Sequence, residues 1–594
     1  MADNVAVLGG GIAGLSAAHH LRRAGIDDIH VYELSDRVGG KARSQLMSVG
    51  QNKAYPGEHG FRFFPHFYQH IVDTMKTTPA NGGTVWDRLV GCSMAGIAYD
   101  GNLLEIPRPA RLTEYTRFVP TLVQFFTMPG IDATDALRYA GVILHFATSC
   151  QARRQREYDA RSWWDFAHAD TYTKDFQDLV LKGSRNLSAM RARESSAATI
   201  GAISLQMIFD FHPLGEHKMD PLLHGPTDEM WLDPWHRHLA GAGVAFHFGK
   251  ELTGFDFDAQ AGRLRSVRFG GQTVTARHYV CALPLERFAA LVTDEMCVFD
   301  GSLARTRELA PKARGDMVGL QFFLDRDVPV VNGHVHYPRT PFALTSVSQA
   351  QFWRPRPDER PGTPELKGIL SVIISDWDTP GTEGLTAREY SEAKKLLDEV
   401  WRQITATLPA GTFDGVHVIG SHLDANVTLG SFANATPLLV HPVGQFALRP
   451  DAETAIENLY LASDYVRTYT DLATMEGADE AARRAVCTIL RREGVPPARY
   501  PFVQPLSEGP IFDHAKRLDE IFFRLQLPHA MHAPSDRVAD LTTRVDLLPA
   551  VPGLAPSGTA LHHATRRFAA LPPVDHSRAD EGLLAKWEEA LRRT

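Results

Sequence analysis

Val5-Ala6-Val7-Leu8-Gly9-Gly10-Gly11-Ile12-Ala13-Gly14-Leu15 decides how this chain folds, and Ile29-His30-Val31-Tyr32-Glu33-Leu34 completes its meaning. The run Val5 to Leu8 has the length and apolar character of a buried strand, and the residues from Ile12 to about Ala24 read as a helix. A second strand follows and is closed by a carboxylate. Gly9 allows the tight turn out of the first strand, Gly11 lets backbone approach a diphosphate, and Gly14 lets the helix lie close to the strand. Ile12 and Ala13 bring the first N–H groups of the helix, at its positive dipole end, to the phosphates. Glu33, with Leu34 beside it, stands where a carboxylate accepts from ribose hydroxyls and repels a 2′-phosphate. The unit predicts a dinucleotide site.

The next segment is Arg37-Val38-Gly39-Gly40-Lys41-Ala42-Arg43-Ser44. It resembles the second signature of the FAD-binding flavoprotein oxidoreductases that include the amine oxidases and the carotenoid desaturases. The resemblance implies that Gly39, Gly40 and Lys41 pass close to the diphosphate and that Arg43 pairs with it. A guanidinium suits that task because it is always charged and donates in a planar fork. Far downstream, Asn458-Leu459-Tyr460-Leu461-Ala462-Ser463-Asp464-Tyr465 and Ala473-Thr474-Met475-Glu476-Gly477-Ala478 resemble the C-terminal flavin motif of the same group. There Asp464 would contact the ribityl-diphosphate region. Thr474, Met475 and Glu476 would open a helix whose N–H groups face the flavin and favour its reduced, anionic form. Ser463 stands where the family usually has glycine. The resemblance thus implies an α/β fold. It has a Rossmann-like, glutathione-reductase-type FAD domain, discontinuous in sequence, beside a mixed α+β substrate domain. It also implies FAD as cofactor, and no cysteine stands near Asp464 for a covalent link.

Between these motifs lies Gly57-Glu58-His59-Gly60-Phe61-Arg62-Phe63-Phe64-Pro65-His66-Phe67-Tyr68. It is similar to a stretch of the plant-type phytoene and ζ-carotene desaturases. That likeness puts Glu58, His59 and Gly60 beside the isoalloxazine ring. His59 and Arg62 become candidate catalytic groups, either accepting a proton or orienting substrate, or else simply holding the loop. The expected activity is FAD-dependent dehydrogenation of an apolar, isoprenoid-like substrate, with a hydride passing to flavin N5 and quinone or oxygen as final acceptor. A flavin amine or amino-acid oxidase is the alternative, and no aromatic cage for an amine is evident. Flavin-dependent isomerases and dehydroxylases of isoprenoids, hydroxysqualene dehydroxylases among them, belong to the same wider group. The prenyl-binding GDP-dissociation inhibitors resemble the fold without carrying flavin. Retention of Glu33, Arg43, Asp464 and Met475 favours the enzyme.

Composition narrows the partners. The chain has 594 residues and a net charge of −8, which argues against nucleic acid. Five widely spaced cysteines suit reduced thiols in a cytoplasmic protein. Met1 leads almost directly into the first strand, without a signal-peptide pattern. No apolar run reaches the ~20 residues that span a bilayer. Leu112 to Ile131 is a candidate interfacial patch for peripheral membrane contact, with a buried helix as the plainer reading. Oligomer formation stays open. His334-Val335-His336 and His236-Arg237-His238 place imidazoles on shared faces, but neither pair has a carboxylate or cysteine at ligand spacing, so no metal is expected.

The motifs divide the chain. Residues 1–100 form the first part of the FAD domain, 101–235 a mainly helical cap, and 236–299 the second FAD part. Residues 300–444 form substrate-domain strands and helices, and 445–497 the third FAD part. Residues 498–594 form a C-terminal extension with helices expected at Ile511 to Leu525 and Asp580 to Arg593. Ser346 to Trp353, polar and aromatic, is a candidate lining of the substrate cavity.

Overall fold

The computed structural model describes residues 4–48, 54–58, 60–108, 132–209, 218–508 and 512–529. These form two compact units, a large one within 4–140 and 157–508 and a small one within 141–156 and 512–529.

In the large unit a five-stranded sheet runs in the order Ala245–His247, Ile29–Tyr32, Val5–Leu8, His278–Cys281, Leu459–Leu461. All four pairings are parallel. Three of the strands are continuously buried short apolar runs, as a sheet covered on both faces demands. Strand segments more than four hundred residues apart therefore end at one edge of one sheet, and the turn after Leu8 lies there with the segments after Tyr32, Cys281 and Leu461. The helix Ile12–Arg23 packs on the last long helix, Met475–Arg492. Ser16 and Thr74 donate to Asp479 between them, the second at 2.7 Å, and Arg483 closes the group at 3.2 Å from Asp479 and 2.9 Å from Asp73.

A seven-stranded sheet forms the second layer, in the order Val418–Leu423, Val318–Leu324, Gly368–Ile374, Leu344–Ser348, His334–Tyr337, Met94–Tyr99, Asn102–Pro107. Alternation along its strands sorts two faces. Val318, Leu320, Phe322, Leu370, Val372 and Leu344 share one core with Leu396, Val400 and Ile404 of the amphipathic helix Ala393–Thr407. Gly319, Ile373, Thr345 and His336, aligned by register across four strands, occupy the other.

Val318–Leu324 and Gly368–Ile374 are buried along their whole length. Gly254–Asp258 and Arg263–Phe269 pair as an antiparallel hairpin. Among the described residues of 101–235 helices predominate, the longest being Ala133–Thr148 and Ala197–Phe209. The hairpin 94–107 crosses the expected boundary at residue 100 and joins the seven-stranded sheet, where Val335 pairs with Gly96 in parallel. In the small unit the helix Asp513–Arg524 is tied to Arg153, whose Nε lies 2.9 Å from Asp519. The segments Leu112 to Ile131 and Asp580 to Arg593 lie outside the described residues. Among the described residues, no helix is long and apolar enough to cross a membrane.

Candidate active site

Gly9 takes a left-handed φ of +113°, and a Cβ there would meet Ala282 O at 2.9 Å. At Gly14 a Cβ would lie 1.9 Å from Gly9 O, so only glycine lets this helix follow this turn. Gly11 differs. A Cβ there meets nothing closer than Gly40 Cα at 3.9 Å, because it would project into a cavity of about 660 Å³. The helix Ile12–Arg23 has no side-chain cap and no acid in its first turn, so its leading N–H groups are left for an anion. The Gly39-Gly40 loop is drawn against this turn by Gly39 N–H donating to Gly10 O at 2.8 Å.

The cavity collects most of the expected cofactor residues. Gly9, Gly11, Ile12, Ala13, Glu33 and Leu34 line it. So do Gly39, Gly40, Lys41 and Arg43 from the loop, Gly60, and Asp464, Thr474 and Met475 from the C-terminal motif. Glu33 is held by its own turn: Oε2 accepts from Gly10 N–H at 2.7 Å, and Oε1 from Ser35 N–H and Oγ at 2.9 Å each. A carboxylate has lone pairs left for ribose hydroxyls. Lys41 Nζ reaches Glu286 at 3.1 Å and Pro437 O at 2.6 Å. Burial raises the Asp464 carboxyl above its usual range, and Lys41 opposes that rise. Thr474 caps the last helix, its Oγ1 accepting from Gly477 N–H at 3.1 Å. The glycine cradle, the uncapped helix start and the placed carboxylates fit FAD.

Three expected residues, Gly14, Glu58 and Glu476, do not line the cavity. Glu476 is fully buried, and its carboxylate accepts from the N–H groups of Gln69, His70 and Ile71 at 2.8–2.9 Å and from His70 Nδ1 at 2.7 Å. It caps the helix His70–Lys76 rather than facing a ligand. Glu58 is buried as well and accepts from Ser44 Oγ and Thr227 N–H, both at 2.9 Å, while burial raises its carboxyl. Gly14 acts through packing. Arg62 lines the cavity, but its guanidinium donates to the carbonyls of Lys41, Gly60 and Ala42 at 2.9–3.2 Å. That is a loop-pinning arrangement and not a proton-transferring one. His59 lies outside the described residues.

The wall facing the nucleotide turn comes from the seven-stranded sheet and from Phe61, Phe63, Ile203 and Met207. Its polar groups are His334, His336, Thr345 and Asn186. Burial pushes the imidazoles down, His334 to about 3 and His336 to about 4, so both are neutral near pH 7. The His334-Val335-His336 alternation was the available signal for these residues, and weighing it only as a metal pair missed their place. Among the described residues no group of three potential ligands could hold a metal ion. Ser346 to Trp353 lies elsewhere: Ser346 Oγ bonds Tyr337 Oη at 2.9 Å, and Trp353 sits in a separate core. Lys250 and Glu251 line the cavity beyond Glu33, carried there by Lys250 N–H donating to Glu33 O at 2.9 Å.

The family described as flavin containing amine oxidoreductase matches residues 12–490. The 15-cis-phytoene desaturase of Synechococcus elongatus is 23% identical over 509 residues, covering 82% of this chain and 96% of that protein. The tryptophan 2-monooxygenase of Pseudomonas savastanoi is 44% identical over 88 residues, covering 14% of this chain and 16% of that protein. Among solved structures, cyclohexylamine oxidase from Brevibacterium oxydans superposes with a TM-score of 0.54 at 15% identity, over 83% of this chain and 99% of that one. Putrescine oxidase bound to putrescine gives 0.56 at 13% identity, over 82% and 99%. These structural likenesses concern the fold.

Proposed function

From the premise that this chain belongs to the flavin-containing amine oxidoreductase family and is an FAD-dependent oxidoreductase, we propose that it dehydrogenates an uncharged, largely apolar substrate, in the manner of an isoprenoid desaturase. The carrying observation is the distribution of charge in the cavity. Among the described lining residues, Glu33, Glu251, Glu286 and Asp464 all come from segments that follow strands of the five-stranded sheet. The opposite wall offers aromatic and aliphatic side chains, neutral imidazoles, a hydroxyl and an amide, with no carboxylate to pair with an ammonium. A desolvated ammonium without a counter-charge is strongly disfavoured. The likeness to a phytoene desaturase over 82% of this chain supports the same reading.

FAD, when bound, would supply the hydride acceptor, with quinone or oxygen as the final acceptor. The rest falls to the chain. The Gly9-to-Gly14 turn and the helix start bind the diphosphate, with Arg43 as its cationic partner. Glu33 orients the ribose. Asp464 would hold the ribityl side, and the N–H groups at Thr474 and Met475 would face the ring and favour negative charge there. Phe61, Phe63 and Ile373 exclude water and orient the substrate. His59 is the group we assign to receiving the substrate proton or steering the substrate. The five-stranded sheet is read as the core of a discontinuous, glutathione-reductase-type FAD domain drawn from 1–100, 236–299 and 445–497. The seven-stranded sheet is read as the substrate domain, with contact to a membrane surface as the route of an apolar substrate.

Turnover of the purified holoenzyme with a linear isoprenoid polyene and a quinone tests the assignment. The expected product lacks two hydrogens and carries one more double bond. Imine or aldehyde with peroxide from simple amines, and no change in the polyene, would give the amine-oxidase reading instead.

A further inference from the structure

The irregular segment between strand Leu459–Leu461 and helix Met475–Arg492 reaches the cavity at both ends, with Ser463 and Asp464 at its start and Leu472 to Met475 at its close. One side chain ties those ends together. Arg449 is fully buried and is not among the cavity-lining residues. Its Nε donates to Tyr465 O at 2.9 Å and its Nη2 to Asp464 O at 3.0 Å and to Val466 O, while Nη1 pairs with Asp471. One guanidinium thus holds three successive carbonyls at the start of the segment and a carboxylate near its close.

Asp471 is the other half of the clamp. Its φ is +44°, in the left-handed region that few side chains adopt and that Asp tolerates. Such a conformation persists where its surroundings over-determine it. Here Oδ1 takes the Arg449 guanidinium, and Oδ2 accepts from Thr199 Oγ1 at 2.7 Å. Thr199 belongs to the helix Ala197–Phe209, whose Ile203 and Met207 line the cavity. At the close of the segment, Ala473 N–H donates to His441 Nε2 at 3.0 Å. Both ends that meet the cavity are therefore set by partners that stand behind them.

We propose that Arg449 and Asp471 are positioning residues for the flavin half of the cofactor. They set the spacing between the Asp464 carboxylate and the N–H groups at Thr474 and Met475, and they register both against the helix that carries Ile203 and Met207. The inference rests on the assignment of Asp464, Thr474 and Met475 to the flavin side. Groups that meet a ligand keep their geometry only when supporting hydrogen bonds hold them. The clamp is specific to arginine. Its acceptors are spread around a planar fork of five N–H groups, whereas a lysine ammonium carries three donors on a single nitrogen.

The test is calorimetric titration of the full-length apoprotein with FAD and with ADP, which shares the adenosine and diphosphate but lacks the flavin. Wild type should bind FAD more tightly than ADP. Arg449→Lys keeps the charge and should lose about tenfold in FAD affinity, the worth of one or two hydrogen bonds. Its ADP affinity should be unchanged, because the Gly9-to-Gly14 turn and Glu33 are untouched. Asp471→Asn keeps the side-chain shape and the tolerance of left-handed backbone. It should show the same selective loss, and it decides the matter if Arg449→Lys does not fold. Equal losses for FAD and ADP would make the pair general scaffold and overturn the proposal, as would unchanged affinity for both. Asp464→Ala tests the premise. Selective loss of FAD there, with none in Arg449→Lys or Asp471→Asn, overturns the clamp alone. An unchanged FAD-to-ADP ratio in Asp464→Ala overturns the assignment of this segment to the flavin.

Discussion

Gly11 and Gly14 stand three residues apart in one motif and act through different physics. Gly14 is fixed by the protein's own backbone, since its Cβ would overlap Gly9 O at 1.9 Å. Gly11 is fixed by what enters the cavity. Gly11→Val should therefore fold with a near-normal apoprotein melting curve yet bind FAD at least about tenfold more weakly, a loss of about 1.4 kcal/mol. Gly14→Val should lower the melting temperature of the apoprotein itself. Calorimetry with FAD titration separates the two, and equal apoprotein destabilisation in both would contradict the assignment. His441 provides a titration signature. Its Nε2 accepts from Ala473 N–H at 3.0 Å, and burial beside Arg449 depresses it to about 4, with Asp471 opposing. The unfolded chain binds this proton below about 6.5 and the folded chain only below about 4. Its contribution is thus present above pH 6.5 and lost as pH falls toward 4. Urea midpoints should decline more steeply for wild type than for His441→Gln across that window, and parallel declines would remove the effect. At this scale the sequence motifs singled out Gly9, Gly11, Glu33, Arg43 and Asp464, which line one cavity, and Gly14, which packs on Gly9. At Glu476 the motif spoke for the backbone of the helix start and was silent on the side chain, which is buried against the N–H groups of Gln69, His70 and Ile71.

The element that holds the site together is the last helix, Met475–Arg492, wedged between the first helix and His70–Lys76. Its Asp479 and Arg483 are fully buried and mutually paired. Asp479→Ala takes from the buried Arg483 guanidinium one of its two carboxylates, leaving only the half-exposed Asp73, and should cost up to about 3–5 kcal/mol in urea unfolding. Glu476→Ala removes the carboxylate that accepts three N–H groups opening His70–Lys76, and should cost about 1–2 kcal/mol as an N-terminal cap loss. A cost within a few tenths of a kcal/mol in either variant would show the network to be dispensable. Its apolar run made Val5–Leu8 legible, because that strand is buried through its own composition. The hairpin 94–107 was not legible as part of the substrate sheet. Its place depends on a parallel pairing with Val335, more than two hundred residues away, which no local pattern encodes.

For the whole molecule, the five-stranded sheet gathers the charged lining groups and the seven-stranded sheet supplies a neutral wall, with one cavity between them inside the large unit. This separation turns a family of many substrates into a specific expectation, and composition alone gave no hint of it. FAD at about 100 times its dissociation constant should stabilise the large unit by about 2.7 kcal/mol. Differential scanning calorimetry with and without FAD should therefore show a higher midpoint, and an unchanged midpoint would mean that the cradle is not the binding place. The most direct measurement of the central claim is anaerobic mixing of the FAD-loaded enzyme with matched uncharged polyenes and amines while the yellow absorption of the oxidised flavin is followed. The account predicts rapid bleaching by an uncharged, largely apolar substrate and none by ammonium compounds. Bleaching by amines alone would contradict it.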